Sequence, residues 1–119
     1  MANPNIVDVT SIFGKTATLS VTDSYSSIVT CPSDTLIKIN VLYIAAINVD
    51  DFNGAISARI TKAIGDNVRI ADEVVVPDAS SLVLISKDSS IYLEEGDSLD
   101  LLANDNGFLQ ATCSYEEIS

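Results

Sequence analysis

The chain contains no histidine and no tryptophan. Without histidine it lacks the side chain that most often serves as general base or metal ligand near neutral pH. Serines and threonines are abundant, but a hydroxyl nucleophile needs an adjacent base, and no Gly-x-Ser-x-Gly elbow occurs. There are two cysteines, Cys31 and Cys113, too far apart for a Cys-x-x-Cys pair or a zinc spacing. No glycine-rich run carries the lysine of a phosphate loop. The longest uninterrupted apolar run, Val41 to Ile47, is far short of the roughly 20 residues that span a bilayer. The opening Met1-Ala2-Asn3-Pro4-Asn5 lacks the basic and apolar regions of a secretory signal. The expectation is synthesis and folding in a reducing cytosol with both thiols free. A disulfide between an early strand and the last one stays open.

Positive charge is scarce. Six bases face 17 acids, for a net charge of −11. Residues 1–65 hold 5 acids and 4 bases, a sum of −1; residues 66–119 hold 12 acids and 2 bases, a sum of −10. Such a chain repels phosphate backbones and anionic lipid, so neither nucleic acid nor membrane is an expected partner. The acidity serves solubility or presents an acidic face to a basic partner. Adjacent acids occur at Asp50-Asp51, Asp72-Glu73 and Glu94-Glu95. Neighbours on a strand point to opposite faces, which argues against shared acid–base sites. The loops holding Asp50, Asp51 and Asn53, or Asp105 and Asn106, could offer oxygen to calcium, but neither has an EF-hand register. No catalytic residue, metal or cofactor is expected, and the chain is not expected to be an enzyme.

What is present is a 119-residue chain, 47% apolar, enough for one domain with a continuous core. Ala17, Leu19 and Val21 alternate with Thr16, Thr18, Ser20 and Thr22, the period of a half-buried strand. Ser27 to Cys31 is a second strand, closed by Pro32-Ser33-Asp34. Leu36 to Val49 is too long for one ordinary strand, so a bulge near Asn40 to Leu42 is expected to divide it. Ala55 to Ile64 fits helical and strand spacing; its flanking turns favour strand. Val68 to Val76 continues as strand, with Val68, Ile70, Val74 and Val76 in phase; Asp72 breaks that face, so a bend is expected there. Short strands follow at Leu82 to Ile85, Ile91 to Leu93 and around Leu99 and Leu101. Asp105-Asn106-Gly107 is a hairpin signal, and Phe108 to Tyr115 places Leu109, Ala111, Cys113 and Tyr115 on one face. Glu116-Glu117 reads as an exposed tail.

Roughly eight or nine short strands with regular turn signals predict an all-β fold, an antiparallel β-sandwich of jelly-roll type. Residues 1–13 read as an N-terminal arm and 14–119 as a single sandwich domain. The arm's apolar residues, Ile6, Val7, Ile12 and Phe13, pack into the core or cover a neighbouring subunit; as partner-binding residues they are the candidates. Tyr25, Tyr43, Tyr92 and Tyr115 are scattered, which suits packing better than a sugar platform.

Several blocks resemble small structural proteins of tailed bacteriophage particles, notably cyanophage-like ones. They are the opening Met1 to Val9, Ser27-Ile-Val-Thr-Cys-Pro-Ser-Asp-Thr-Leu-Ile-Lys-Ile-Asn40 with the apolar strand after it, Val76-Pro-Asp-Ala-Ser-Ser-Leu82, Ile91-Tyr-Leu-Glu-Glu-Gly-Asp-Ser-Leu99, and Ser114-Tyr-Glu-Glu-Ile118. The resemblance implies a β-sandwich that assembles, as a homo-oligomer with a trimer favoured, on the virion. The implied role is capsid decoration or cement on the major capsid protein; the alternative is a tail or fibre component that binds a receptor or glycan. It carries over no catalytic residue.

Overall fold

The computed structural model describes residues 11–47, 54–77, 79–104 and 109–119. Among these residues nine strands form two antiparallel sheets, as the alternation in the sequence predicts. They are β1 (Ile12–Val21), β2 (Ser26–Thr30), β3 (Leu36–Ala46), β4 (Gly54–Thr61), β5 (Asn67–Val76), β6 (Ser81–Ile85), β7 (Ile91–Leu93), β8 (Ser98–Ala103) and β9 (Leu109–Ile118). The first sheet runs β1-β9-β3, with β6 and β7 sharing the outer edge of β3. A short 3-10 turn, Lys87–Ser89, separates these two half-strands. The second sheet runs β2-β8-β4-β5. The β4–β5 connection stays within its sheet, whereas β1 to β2, β2 to β3, β3 to β4, β5 to β6, β7 to β8 and β8 to β9 change sheets. That order is a jelly roll.

The apolar phase of each strand explains the core. Val21, Leu42, Ile44, Leu109, Ala111 and Cys113 of the first sheet are buried, as are Ile56, Ala58, Val76, Leu99, Leu101 and Ala103 of the second. Residues 36–46 form one bulged strand rather than two. Partner register along β9 shifts between Ile39 and Val41, which leaves Asn40 as the extra residue. The bulge resets the phase, so Ile37 and Ile39 before it and Leu42 and Ile44 after it all reach the core.

Two expectations are corrected. Glu116 and Glu117 are not a tail: β9 runs to Ile118, with Glu117 opposite Phe13 on one side and Ile37 on the other. Both are half-buried, and Glu117 binds Lys15 at 3.0 Å. Val68, Ile70, Val74 and Val76 do not share one buried face. Register shifts on either side of Ala58 throw Ile70 out of phase, and only Val76 is buried. β1 begins at Ile12, inside the stretch expected as an arm. Asn48, Val49 and the Asp105-Asn106-Gly107 hairpin lie outside the described residues.

The turn Glu94 to Asp97 depends on Gly96. Its φ is +84°, and a Cβ there would stand 2.7 Å from Cβ of Ala63. Gly96→Ala is therefore expected to destabilise the fold by about 2 kcal/mol, through backbone strain and overlap together. A chemical-denaturation curve checks this; an unchanged midpoint would show that the turn can relax.

Candidate functional site

Among the described residues two carboxylates are buried, Asp100 at an outward position of β8 and Asp97 in the turn that precedes it. Asp100 lies between Leu99 and Leu101 on β8, on the face turned away from the core. Three hydroxyls close over it: Thr61 at 2.6 Å, Ser27 at 2.7 Å and Ser98 at 2.9 Å. Arg59 Nε donates at 3.4 Å. β2 and β4 flank β8, which is why their outward residues reach this carboxylate. Burial works to raise its pKa, but the donors from Thr61, Ser27, Ser98 and Arg59 outweigh that and hold it below the ordinary aspartate range. The Arg59 guanidinium in turn stacks 3.8 Å from the Tyr25 ring centre.

Asp97 is the second. It joins turns at one end of the sandwich. Its carboxylate accepts from Lys62 Nζ at 2.6 Å, Glu94 N at 3.0 Å and Ala63 N at 3.1 Å. Its main-chain oxygen accepts from Cys31 N at 2.9 Å. Beside it, Glu95 accepts from Asp34 N at 2.7 Å. The β2–β3, β4–β5 and β7–β8 turns are thus locked together. Burial again pushes the Asp97 pKa up, and Lys62 with the two amides pulls it net down. The hydrogen bond to Asp97 in turn raises the Lys62 pKa. Every donor to these two acids comes from the sheets and turns that they hold, so their chemistry is structural.

The cysteines are free and buried. Burial pushes the Cys31 thiol up to about 11 and the Cys113 thiol up to about 12, the opposite of an activated nucleophile. Among the described residues no group of three or more His, Cys, Asp or Glu side chains could hold a metal. The loops considered for calcium, with Asp50, Asp51 and Asn53 or Asp105 and Asn106, lie outside the described residues.

The unusual surface is apolar. Ile12 and Phe13 open β1, each 55% exposed. The register separates them: Ile12 pairs with Ile118 on the outward face, and Phe13 pairs with Glu117 on the core side. They therefore do not form one patch. Ile6 and Val7, expected to act with them, lie outside the described residues. Sequence reading missed a larger group on β5, where Val68, Ile70, Val74 and Val75 are exposed beside Ile64 of the preceding turn. β5 is an edge strand, and its residues read in sequence as an ordinary strand with one apolar face. A third group, Tyr43 with its cross-strand partner Val83, lies on the outward face of the first sheet, and Tyr92 pairs with Lys38 further along that strand. Tyr25 and Tyr115 are half-buried, so the four tyrosines form no single platform.

No protein-family model matches the chain, and no curated protein matches it.

Proposed function

We propose that the chain is a non-enzymatic structural protein of a bacteriophage virion, a decoration or cement protein that binds the outer surface of the major capsid protein shell. The observation that carries this reading is the pairing of a self-sufficient core with exposed apolar side chains on strands at both edges of the sandwich. The buried acids are spent on holding the fold. Ile12, Phe13 and the β5 side chains are left with apolar surface to bury against another protein. A cement protein acts by repeating a modest contact many times over a shell, and about 25 cal/mol per Å² of apolar burial accumulates across such copies. The resemblance of the sequence blocks to phage particle proteins supplies the kind of partner.

The test is the copy number in purified particles of the parent phage, by quantitative mass spectrometry against the major capsid protein. A ratio near that of the capsid subunits supports decoration. A few to a few dozen copies moves the role to the tail or a fibre, and absence from the particle overturns the reading. Because Ile12 and Phe13 belong to β1, substitution is a cleaner probe of them than truncation. The double variant Ile12→Asp, Phe13→Asp is expected to stay folded and to lose at least about tenfold in shell binding, since two exposed apolar contacts become charged. Full binding by that variant would remove these two residues from the interface.

A further inference from the structure

We infer that β5 is a two-fold self-association strand, by which two copies of this chain pair edge to edge. Among the described residues β5 is an outer strand of the second sheet, paired on one side alone. Natural edges are usually blunted by charge, proline or bulges. β5 has both charges and bulges, yet it carries four exposed large apolar side chains.

Its register shifts fall one on each side of Ala71. Along β4 the register steps from Arg59↔Arg69 to Ala58↔Ala71 and then to Ile56↔Val74. Val68, Ala71 and Val74 consequently share the core-side face at a spacing of three. One displaced stretch lies before Ala71, and the other, containing Glu73 with φ +51°, lies after it. Two copies of β5 laid antiparallel about an axis at Ala71 would match Val68 to Val74, Ala71 to Ala71 and Arg69 to Glu73. The core-side faces would then join in one apolar stripe. The opposite face would gain two Arg69–Glu73 pairs, one on each side of the axis. Within one chain Arg69 already binds Asp72 at 2.7 Å, so that in the pair each Arg69 would stand between two carboxylates. Arg69 and Glu73, two of the three charges that would guard this edge against a foreign strand, are complementary to their own symmetry mates, while Asp72 falls opposite Ile70 and keeps its own-chain Arg69. That complementarity selects a second copy as the occupant.

The contact goes beyond the virion reading: it assigns the β5 side chains to a second copy of the chain and leaves Ile12 and Phe13 for the shell. It is small, on the order of 1,000 Å² in total, at the low end for a specific interface, so a weak, concentration-dependent association is expected.

A cysteine on the axis tests it. Opposed residues in an antiparallel pair stand about 4.5–5.5 Å apart, within disulfide reach. Under mild oxidation Ala71→Cys is expected to form a covalent dimer at least about tenfold faster than Thr30→Cys on the β2 edge. The native Cys31 and Cys113 are buried and should not compete. In the unmodified chain, sedimentation equilibrium is expected to show a monomer–dimer equilibrium. Arg69→Glu should weaken it at least about tenfold, and Arg69→Glu combined with Glu73→Arg should restore it. Equal crosslinking at positions 71 and 30, or an unmodified chain that stays monomeric to millimolar concentration, would overturn the proposal. Neither result depends on whether the protein is found on a particle.

Discussion

Asp97→Ala is expected to lower the unfolding free energy by about 3 kcal/mol. The substitution strips a partner from the Glu94 and Ala63 amides and from the Lys62 ammonium together. Each amide that is buried without an acceptor costs about 1–3 kcal/mol, and water reaching the end of the sandwich offsets part of that. Lys62→Met is expected to cost less, about 1 kcal/mol, because Lys62 is partly exposed and Asp97 keeps both amides. The same carboxylate sets the acid limit. Asp97 and Asp100 have folded pKa values below the unfolded value of about 3.9. Their contribution is present above that value and is lost as pH falls through the folded values. Urea midpoints measured from pH 7 downward should hold to about pH 4 and then drop. In Asp97→Ala the drop should be shallower. A variant as stable as the parent at pH 7 would mean that the three turns are held by their main-chain bonds alone.

At the alkaline end the thiols should dominate. Cys31 and Cys113 are pushed by burial to about 11 and about 12. In the unfolded chain they ionise near 8.5. A raised folded pKa gives stability that is complete below the unfolded value and is lost as pH rises towards the folded one. By pH 10 each thiol should cost roughly 2 kcal/mol, about 4 kcal/mol for the pair. Thermal or urea unfolding at pH 8 and pH 10 reads this directly. In Cys113→Ala the stability at pH 8 should fall by the loss of a packed side chain, while the further fall to pH 10 should be halved. An equal fall in parent and variant would assign the alkaline weakness to charge repulsion in this −11 chain instead.

Much of the fold was legible because most strands here are buried on one face, and a half-buried strand writes its period of two into the sequence. The Thr16 to Thr22 alternation and the Leu109, Ala111, Cys113 series are clear cases. The bulge at Asn40 was legible from length, since no ordinary strand matches a run of that size. β5 was not legible. A valine-rich strand reads the same whether its faces are covered by a second sheet or left open at an edge, and edge position follows from strand order, which local sequence does not encode. The acids escaped for a similar reason. Asp100 occupies an outward position in the alternation, and its burial comes from Ser27 and Thr61 on strands far away in the chain. Glu117 read as a tail because the strand's apolar alternation stops before Ile118, while the hydrogen-bond ladder with β1 and β3 goes on.

The place of β9 in its sheet bears on time. Of the described strands it is made last, yet it lies between β1 and β3 and pairs with both along nearly its full length. During synthesis at about 5–20 residues per second, β1 and β3 therefore wait for several seconds without the neighbour that separates them. Ser11 and Ser119, which close the ladder through main-chain bonds of 3.2 and 3.1 Å, come from opposite ends of the described chain. A sheet closed by its final strand folds as one late event, with the slow kinetics of long-range β pairing. Until then the most apolar strand, β3, has its β9-facing edge open to any neighbour in the cell.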